Sequence, residues 1–288
     1  MQRYKIIHHT WYNFTADVMP GPHTLRLRPR EDHELHIEST SLDITPEASL
    51  QWHRDVEGNS VATASFATSA SQLAIKYEVI LSQYNENPLD FLVSDYAVNY
   101  PFSYQPYDRI LLAPYMEVSD PQTRVLVGKW IARVWNSGQA IQTYTLVHRL
   151  STHIHQTLRY QLREEPGVQT PGQTLSYGTG SCRDFALLLI EAARCLGLAA
   201  RFVSGYLHSP TLSDTPGATH AWAEVYLPGA GWKGFDPTTG GIIGSEHFAV
   251  AVARLADSVP PVAGSFMGPP HARSSLDVGV WVTKISAD

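Results

Sequence analysis

The stretch SYGTGSCRDFALLLIEAARCLGLAARFVSGYL, residues 176–207, constrains this chain more than any other. A glycine-rich turn leads into CRDFALLLIEAARCL, which has the length and composition of a helix, and Gly197 is a natural stop. Phe185, Leu188, Leu189, Ala192 and Leu196 make a broad apolar face. A helix this apolar has to be buried, and its N-terminus then meets a cleft or solvent. Ser181 or Thr179 is the expected cap, and Asp184 in the first turn suits the positive end of the helix dipole. Cys182 heads the helix. Cys195 lies thirteen residues on, about 20 Å along the axis at ~1.5 Å per residue, so the two cannot form a disulfide while the helix is intact. Cys195 reads as core.

The position of Cys182 has chemical consequences. A thiolate attacks a carbonyl; a thiol does not. Helix N-terminal N–H groups and a nearby imidazolium favour the thiolate. The same N–H groups can hold the oxyanion of a tetrahedral intermediate. A base is available in GATHAWAEVYLPGAGWKGFDPTTG, residues 217–240. His220 opens one strand, Asp236 lies in the returning strand, and PGAG at 228–231 turns the hairpin between them. Asp236 then falls near or diagonal to His220, where a carboxylate can orient the imidazole. Trp222 shares a face with His220 and either shields the site or only packs. Taken singly, a free cysteine is usually a small buried hydrophobe, and an aspartate before proline usually starts a turn. The argument rests on the three together.

The rest of the chain supplies the frame. Residues 1 to about 86 read as strands: IKYEVIL and ELHIEST alternate, and VEGN at 56–59 turns a hairpin between LQWHRD and SVATASFA. A β-sandwich is expected here. Arg26, Arg28 and Arg30 of TLRLRPR fall on one strand face and read as a solvated or edge face near Glu31, Asp32 and Glu34. Residues 87–108 look like a packed connector rich in proline and aromatics. Asp120-Pro121 and Thr170-Pro171 start helices, and residues 140–160 carry a helical stripe of Ile141, Tyr144, Val147, Leu150, Ile154 and Leu158. Strands AARFVSGYL, HAWAEVYL, GWKGFDP, HFAVAVARL and LDVGVWVTKI follow. The expected division is 1–110 as a β-rich domain with its connector and 111–288 as an α+β domain.

Bulk properties exclude several classes. The 288 residues are 43% hydrophobic and 17% charged, as in an ordinary globular protein. A net charge of −6 offers no basic field for nucleic acid or anionic lipid. The start, MQRYKIIHHTWYNF, lacks the apolar core of a signal peptide, and residues 185–207 are interrupted by Glu191, Arg194 and Arg201. No membrane partner is expected, and the cytoplasm is the default location. His8 and His9 point to opposite strand faces and His153 and His155 to different helix faces; with no His-Glu-x-x-His and no paired CxxC, no metal site is expected. No phosphate loop is present, and no cofactor is expected.

These residues resemble those of the bacterial transglutaminase-like proteins, a family described with cysteine proteases in the papain-like superfamily. GSCRDFALLLIEAARCLGLAARFVSGYL is similar to the family's nucleophile helix and following strand, and THAWAEVYLPGAGWKGFDPTTG to its His and Asp strands. HHTWYNFTADVMPGPHTLRLRPR resembles the N-terminal region of its bacterial members, and VPPVAGSFMG their proline-glycine turn. The resemblance implies an α+β fold with an N-terminal β-sandwich. It makes Cys182 the nucleophile, His220 the base and Asp236 the orienter of a thioester-forming enzyme on peptide or other amide substrates. Hydrolysis, as a peptidase or amidase, is the first expectation; transfer to a primary amine and a non-catalytic interaction module are the alternatives. Tyr160 and Trp222 are candidates for lining the cleft, and Asp184 and Glu224 for lying near the site. One departure is Ala253-Arg254-Leu255, where relatives often carry Gly-Arg-Asp.

Overall fold

Alternation along the first strand shows how the β-rich part is built. In the computed structural model, which describes residues 1–85, 87–163, 165, 167–209 and 219–286, β1 (Gln2–Pro20) buries Tyr4, Ile6, His8 and Thr10 and turns the residues between them outward. The chain continues through β2 (His23–Leu25), β3 (Leu35–Thr45), β4 (Ala48–Arg54), β5 (Ser60–Phe66) and β6 (Ala70–Gln83). β6 lies antiparallel between β1 and β3, while β4 and β5 form the hairpin expected around Gly58 and β5 pairs with β2. The two sheets close on one core, with Ile6, Leu73, Ile75 and Val79 from one and Leu25, Ala62 and Ala64 from the other. The ladder of β2 stops at Leu25, yet the alternation runs on to bury Leu27. Arg28 faces Glu31 at 3.6 Å, as an edge residue would, whereas Arg30 is half-buried and donates to Asn59 Oδ1 at 2.7 Å.

The middle of the chain is helical: α1 (Asp95–Val98), β7 (Asn99–Tyr100), α2 (Pro106–Met116), α3 (Pro121–Val134), β8 (Ile141–Gln142), α4 (Thr143–Thr157), β9 (Arg159–Tyr160) and α5 (Pro171–Tyr177). Asp120 accepts from Thr123 N–H at 2.8 Å to start α3, and Thr170 and Gln173 form the capping box of α5. Two details depart from the sequence pattern. Ile141 belongs to a short ladder with Tyr100 rather than to α4, and Leu158 caps α4 from outside. α2 was not anticipated; its Pro114 and its exposed Tyr107, Ile110 and Leu111 hide any amphipathic signal. Residue 110, the expected division, lies inside this helix.

The last part holds β10 (Thr179–Gly180), α6 (Cys182–Cys195), β11 (Ala200–Leu207), β12 (His220–Leu227), β13 (Gly231–Phe235), β14 (His247–Ala253), β15 (Val262–Ala263), β16 (Phe266–Met267) and β17 (Ser274–Ile285). An antiparallel sheet runs in the order β13-β12-β11-β14. One face receives α6, whose Phe185, Leu188, Leu189 and Ala192 meet Phe202, Ala221, Ala223, Val225 and Ala251. Each such large side chain contributes about 1.5–3 kcal/mol by leaving water. The opposite face presents Tyr206, Phe248 and Val250 to the core of the β-rich part. Covered on both faces, these strands read as near-continuous apolar runs.

The chain then returns to the β-rich part. β15 pairs with β2, β16 with β1, and β17 runs along β1 from Arg3↔Ile285 to Phe14↔Ser274. Polar ties join the two parts as well: Asn59 Nδ2 donates to Val252 O at 2.8 Å, and Tyr206 Oη to Leu27 O at 3.0 Å. Among the described residues no helix is long and apolar enough to cross a membrane.

Candidate active site

The turn before α6 is held with little freedom. Gly180 pairs with Tyr160 in a parallel bridge, and any β-carbon there would collide with Asp184 and the ring of Phe185. Ser181, rather than Thr179, is the N-cap. Asp184 is fully buried and accepts from Ser181 N–H at 2.8 Å, Ser181 Oγ at 2.9 Å, Gln169 N–H at 2.7 Å and Arg163 Nη1 at 2.9 Å. The sequence suggested Asp184 for the helix dipole but gave no sign of Arg163 and Gln169, which reach it from the loop after β9. This clamp fixes the first turn, where Cys182 sits buried and outside any disulfide and the first backbone N–H groups have no partner within the helix.

His220 begins β12 opposite Gly205. Its Nε2 lies 2.9 Å from Asp236 Oδ2. Cys182 lies close enough to the same ring to favour its charged form. Asp236 follows β13 directly. The register Ala223↔Phe235, carried one step further, sets Asp236 opposite Trp222 and diagonal to His220. Its other contacts are those of a turn starter: Thr238 N–H donates to Oδ1 at 2.8 Å and Thr239 Oγ1 to Oδ2 at 3.0 Å. The bland role and the chemical one therefore coexist, since the turn holds the carboxylate that the imidazole meets.

The electrostatics follow from this geometry. Burial works against a charge on His220, but the hydrogen bond to Asp236 and the nearby Cys182 outweigh it and raise its pKa to about 10. Burial likewise opposes the charge of Asp236, yet the bonds from His220 and His247 hold it well below the usual carboxylate range. Tyr160 is half-exposed beside the site; burial pushes its phenol up, and the charge at Cys182 pushes the same way. Cys195 lies half-buried at the far end of α6, packed on the rim of the core rather than within it, where burial pushes its thiol up to about 11.

Other candidates fall elsewhere. Trp222 is buried, and its ring occupies the space a side chain at position 205 would take, so glycine is required there. Glu224 is paired with Arg201 at 2.7 Å. His153 packs near Trp130, whereas His155 bonds Thr238 O at 2.8 Å and braces the turn after Asp236. His8 is buried against Tyr206 and Thr10, and His9 stacks near Trp11. Arg254 O accepts from Arg194 at 2.7 Å and its N–H donates to Glu57 at 3.2 Å, while Leu255, in the place of the family's acid, is exposed.

A further residue also escaped the sequence reading. His247 opens β14, and its Nε2 lies 3.4 Å from the same Asp236 Oδ2. It reaches there beside Trp222, at 5.4 Å between ring centroids. No spacing rule relates positions 236 and 247, because the link depends on how β14 docks against β11.

The fold agrees with the comparisons. Residues 4–82 match the bacterial transglutaminase-like N-terminal region, and residues 130–237 match the transglutaminase-like superfamily. The chain is a bacterial transglutaminase-like protein, and its superfamily is one of cysteine-dependent enzymes. It is similar to an uncharacterized protein of Mycobacterium leprae, 25% identical over 99% of this chain and all of that one. An uncharacterized Mycobacterium bovis protein is 36% identical over 38% of this chain and 37% of its own length. Among solved structures, a protein of Cytophaga hutchinsonii provisionally described as a cysteine protease superposes with a TM-score of 0.76. That match covers all of this chain and 92% of the other at 20% identity, and so speaks to the fold.

Proposed function

We propose that this protein is a cysteine amidohydrolase acting on peptide or other amide bonds through a thioester at Cys182. The observation that carries the reading is the 2.9 Å contact between His220 Nε2 and a fully buried Asp236, with Cys182 near enough to the same imidazole to favour its charge. In this reading His220 is an imidazolium beside Cys182, and the sulfur attacks as its thiolate. The sulfur attacks the acyl carbon, and the first N–H groups of α6 receive the oxyanion. His220 then gives its Nδ1 proton to the departing amine as the tetrahedral intermediate collapses to the thioester. Water, deprotonated by the now neutral imidazole, releases the acid and restores the thiolate. Asp236 fixes the ring and favours its protonated form.

Hydrolysis is preferred over amine transfer because the two carboxylates that could recruit an amine are engaged. Asp184 already accepts from four donor groups, and Glu224 is paired with Arg201. The test supplies a panel of peptide amides with an excess of labelled primary amine and compares the parent with Cys182→Ala. The expected product is the free acid, formed by the parent alone. Dominant amide product at millimolar amine would make the protein a transferase, and equal turnover by Cys182→Ala would remove Cys182 from the chemistry.

A further inference from the structure

Asp236 is shared by two imidazoles, and orienting His220 alone does not account for that. Oδ1 is anchored by the Thr238 N–H, so Oδ2 faces His220 Nε2 at 2.9 Å and His247 Nε2 at 3.4 Å. Ligand atoms of the three residues lie within 4.8 Å of one another. On the far side of its ring, His247 Nδ1 is buried without a hydrogen-bond partner. Two imidazole nitrogens and one carboxylate oxygen are the donor set of a three-residue zinc site with an open fourth position. Calcium and magnesium prefer six or more oxygen ligands and fit this set poorly.

We propose that His220, Asp236 and His247 form a reversible zinc site whose occupation switches the enzyme off. The binding claim stands on these residues alone; the inhibitory claim rests on the function proposed above. The geometry argues for an inhibitor rather than a resident metal. Two ligands on one tetrahedral zinc at ~2.0–2.1 Å are roughly 3.3 Å apart, so the His220–Asp236 contact must open by several tenths of an ångström. His247 Nδ1 also lacks the outer partner that metal-bound histidines usually have, a loss that weakens metal binding about 10–100-fold.

The proton balance gives the mechanism of inhibition. The ion occupies Nε2 of each imidazole. His220 enters as imidazolium, releases its Nε2 proton to solvent and keeps the one at Nδ1. A metal on His247 Nε2 leaves the ring proton of the neutral imidazole at Nδ1. His220 can then protonate a leaving amine only by becoming a metal-bound imidazolate, so acylation stalls at collapse of the tetrahedral intermediate.

The test is calorimetric titration of zinc chloride into Cys182→Ala protein, which excludes a site on the thiolate, and into the same protein carrying His247→Gln. Glutamine keeps a donor towards Asp236 but is a poor zinc ligand, and a thermal melt checks the fold. One zinc per chain is expected in the first protein, with affinity lower by about a hundredfold or more in the second, because a ligand is lost rather than an outer partner. Cobalt(II) bound to Cys182→Ala should show the visible bands of a four-coordinate site without thiolate charge transfer, a reading that needs no substitution at 247. No zinc bound by Cys182→Ala, or binding unaffected by His247→Gln, would overturn the site. Zinc should inhibit parent turnover, with recovery on adding EDTA. Binding without inhibition would overturn the switch and count against the triad rather than against the metal site.

Discussion

Asp236 is the residue on which the site turns, and its effect on His220 sets a pH limit. In the proposed mechanism His220 must be protonated to expel the amine, and its pKa is raised to about 10, so turnover should fall on the alkaline side only as the pH approaches that value. Asp236→Asn removes the charge and the acceptor that hold the proton, so the alkaline limb should move to lower pH. Turnover should also drop, by less than the ~10⁴ seen for the same change in a serine triad, because a cysteine sulfur depends less on its base than a serine hydroxyl does. A pH–rate profile of the folded Asn variant checks both; an unshifted limb would remove Asp236 from this role. At this scale the sequence was informative where chemistry is local. Cys182 follows its own turn, and His220 and Asp236 are joined by one hairpin, so spacing sufficed to pair them. His247 and Arg163 were illegible because each reaches the site from an element whose docking no local pattern encodes.

At the scale of elements, α6 carries the site at one end and a buried ion pair at the other. Arg194 Nη1 meets Glu191 Oε1 at 2.9 Å, both side chains being 1% exposed, and Arg194 also donates to Tyr115 O, Ala200 O and Arg254 O. Arg194 therefore ties α6 to α2, to β11 and to the end of β14. Arg194→Ala leaves Glu191 charged and buried and should cost about 3–5 kcal/mol, read from the urea unfolding midpoint. A loss below about 1 kcal/mol would mean that these bonds contribute little beyond their replacement by water. In the sequence, Glu191 and Arg194 were visible only as charges interrupting an apolar run, which argued against a membrane span. Their burial as a pair could not be read, because it depends on carbonyls supplied by three distant elements. The helix itself was legible from Ser181 to Gly197, since capping and the left-handed stop at Gly197 (φ 75°) are local events.

At the scale of the whole molecule, the chain leaves the β-rich part, builds the helices and the site-bearing sheet, and comes back. β17 pairs with β1 along twelve positions and buries Val280 and Val282. Removing residues 274–285 should expose the edge of β1, lower the melting temperature and promote association between chains, as measured by a thermal scan with light scattering. A truncated chain that melts with the parent would show that β17 adds nothing to the fold. The two β-rich and α+β parts were legible from the change of period along the chain. The return was not, because LDVGVWVTKI announces a strand and says nothing of its partner.

The central claim is that the fold sets one of two cysteines apart as a nucleophile. The most direct measurement is alkylation of the folded protein with iodoacetamide near pH 6, followed by peptide mass mapping. The hydrogen-bonded imidazolium of His220 and the head of α6 should make Cys182 react, while Cys195, pushed up to about 11 by burial, should stay unmodified. Labelling of Cys195 alone, or of both cysteines at equal rates, would contradict the account.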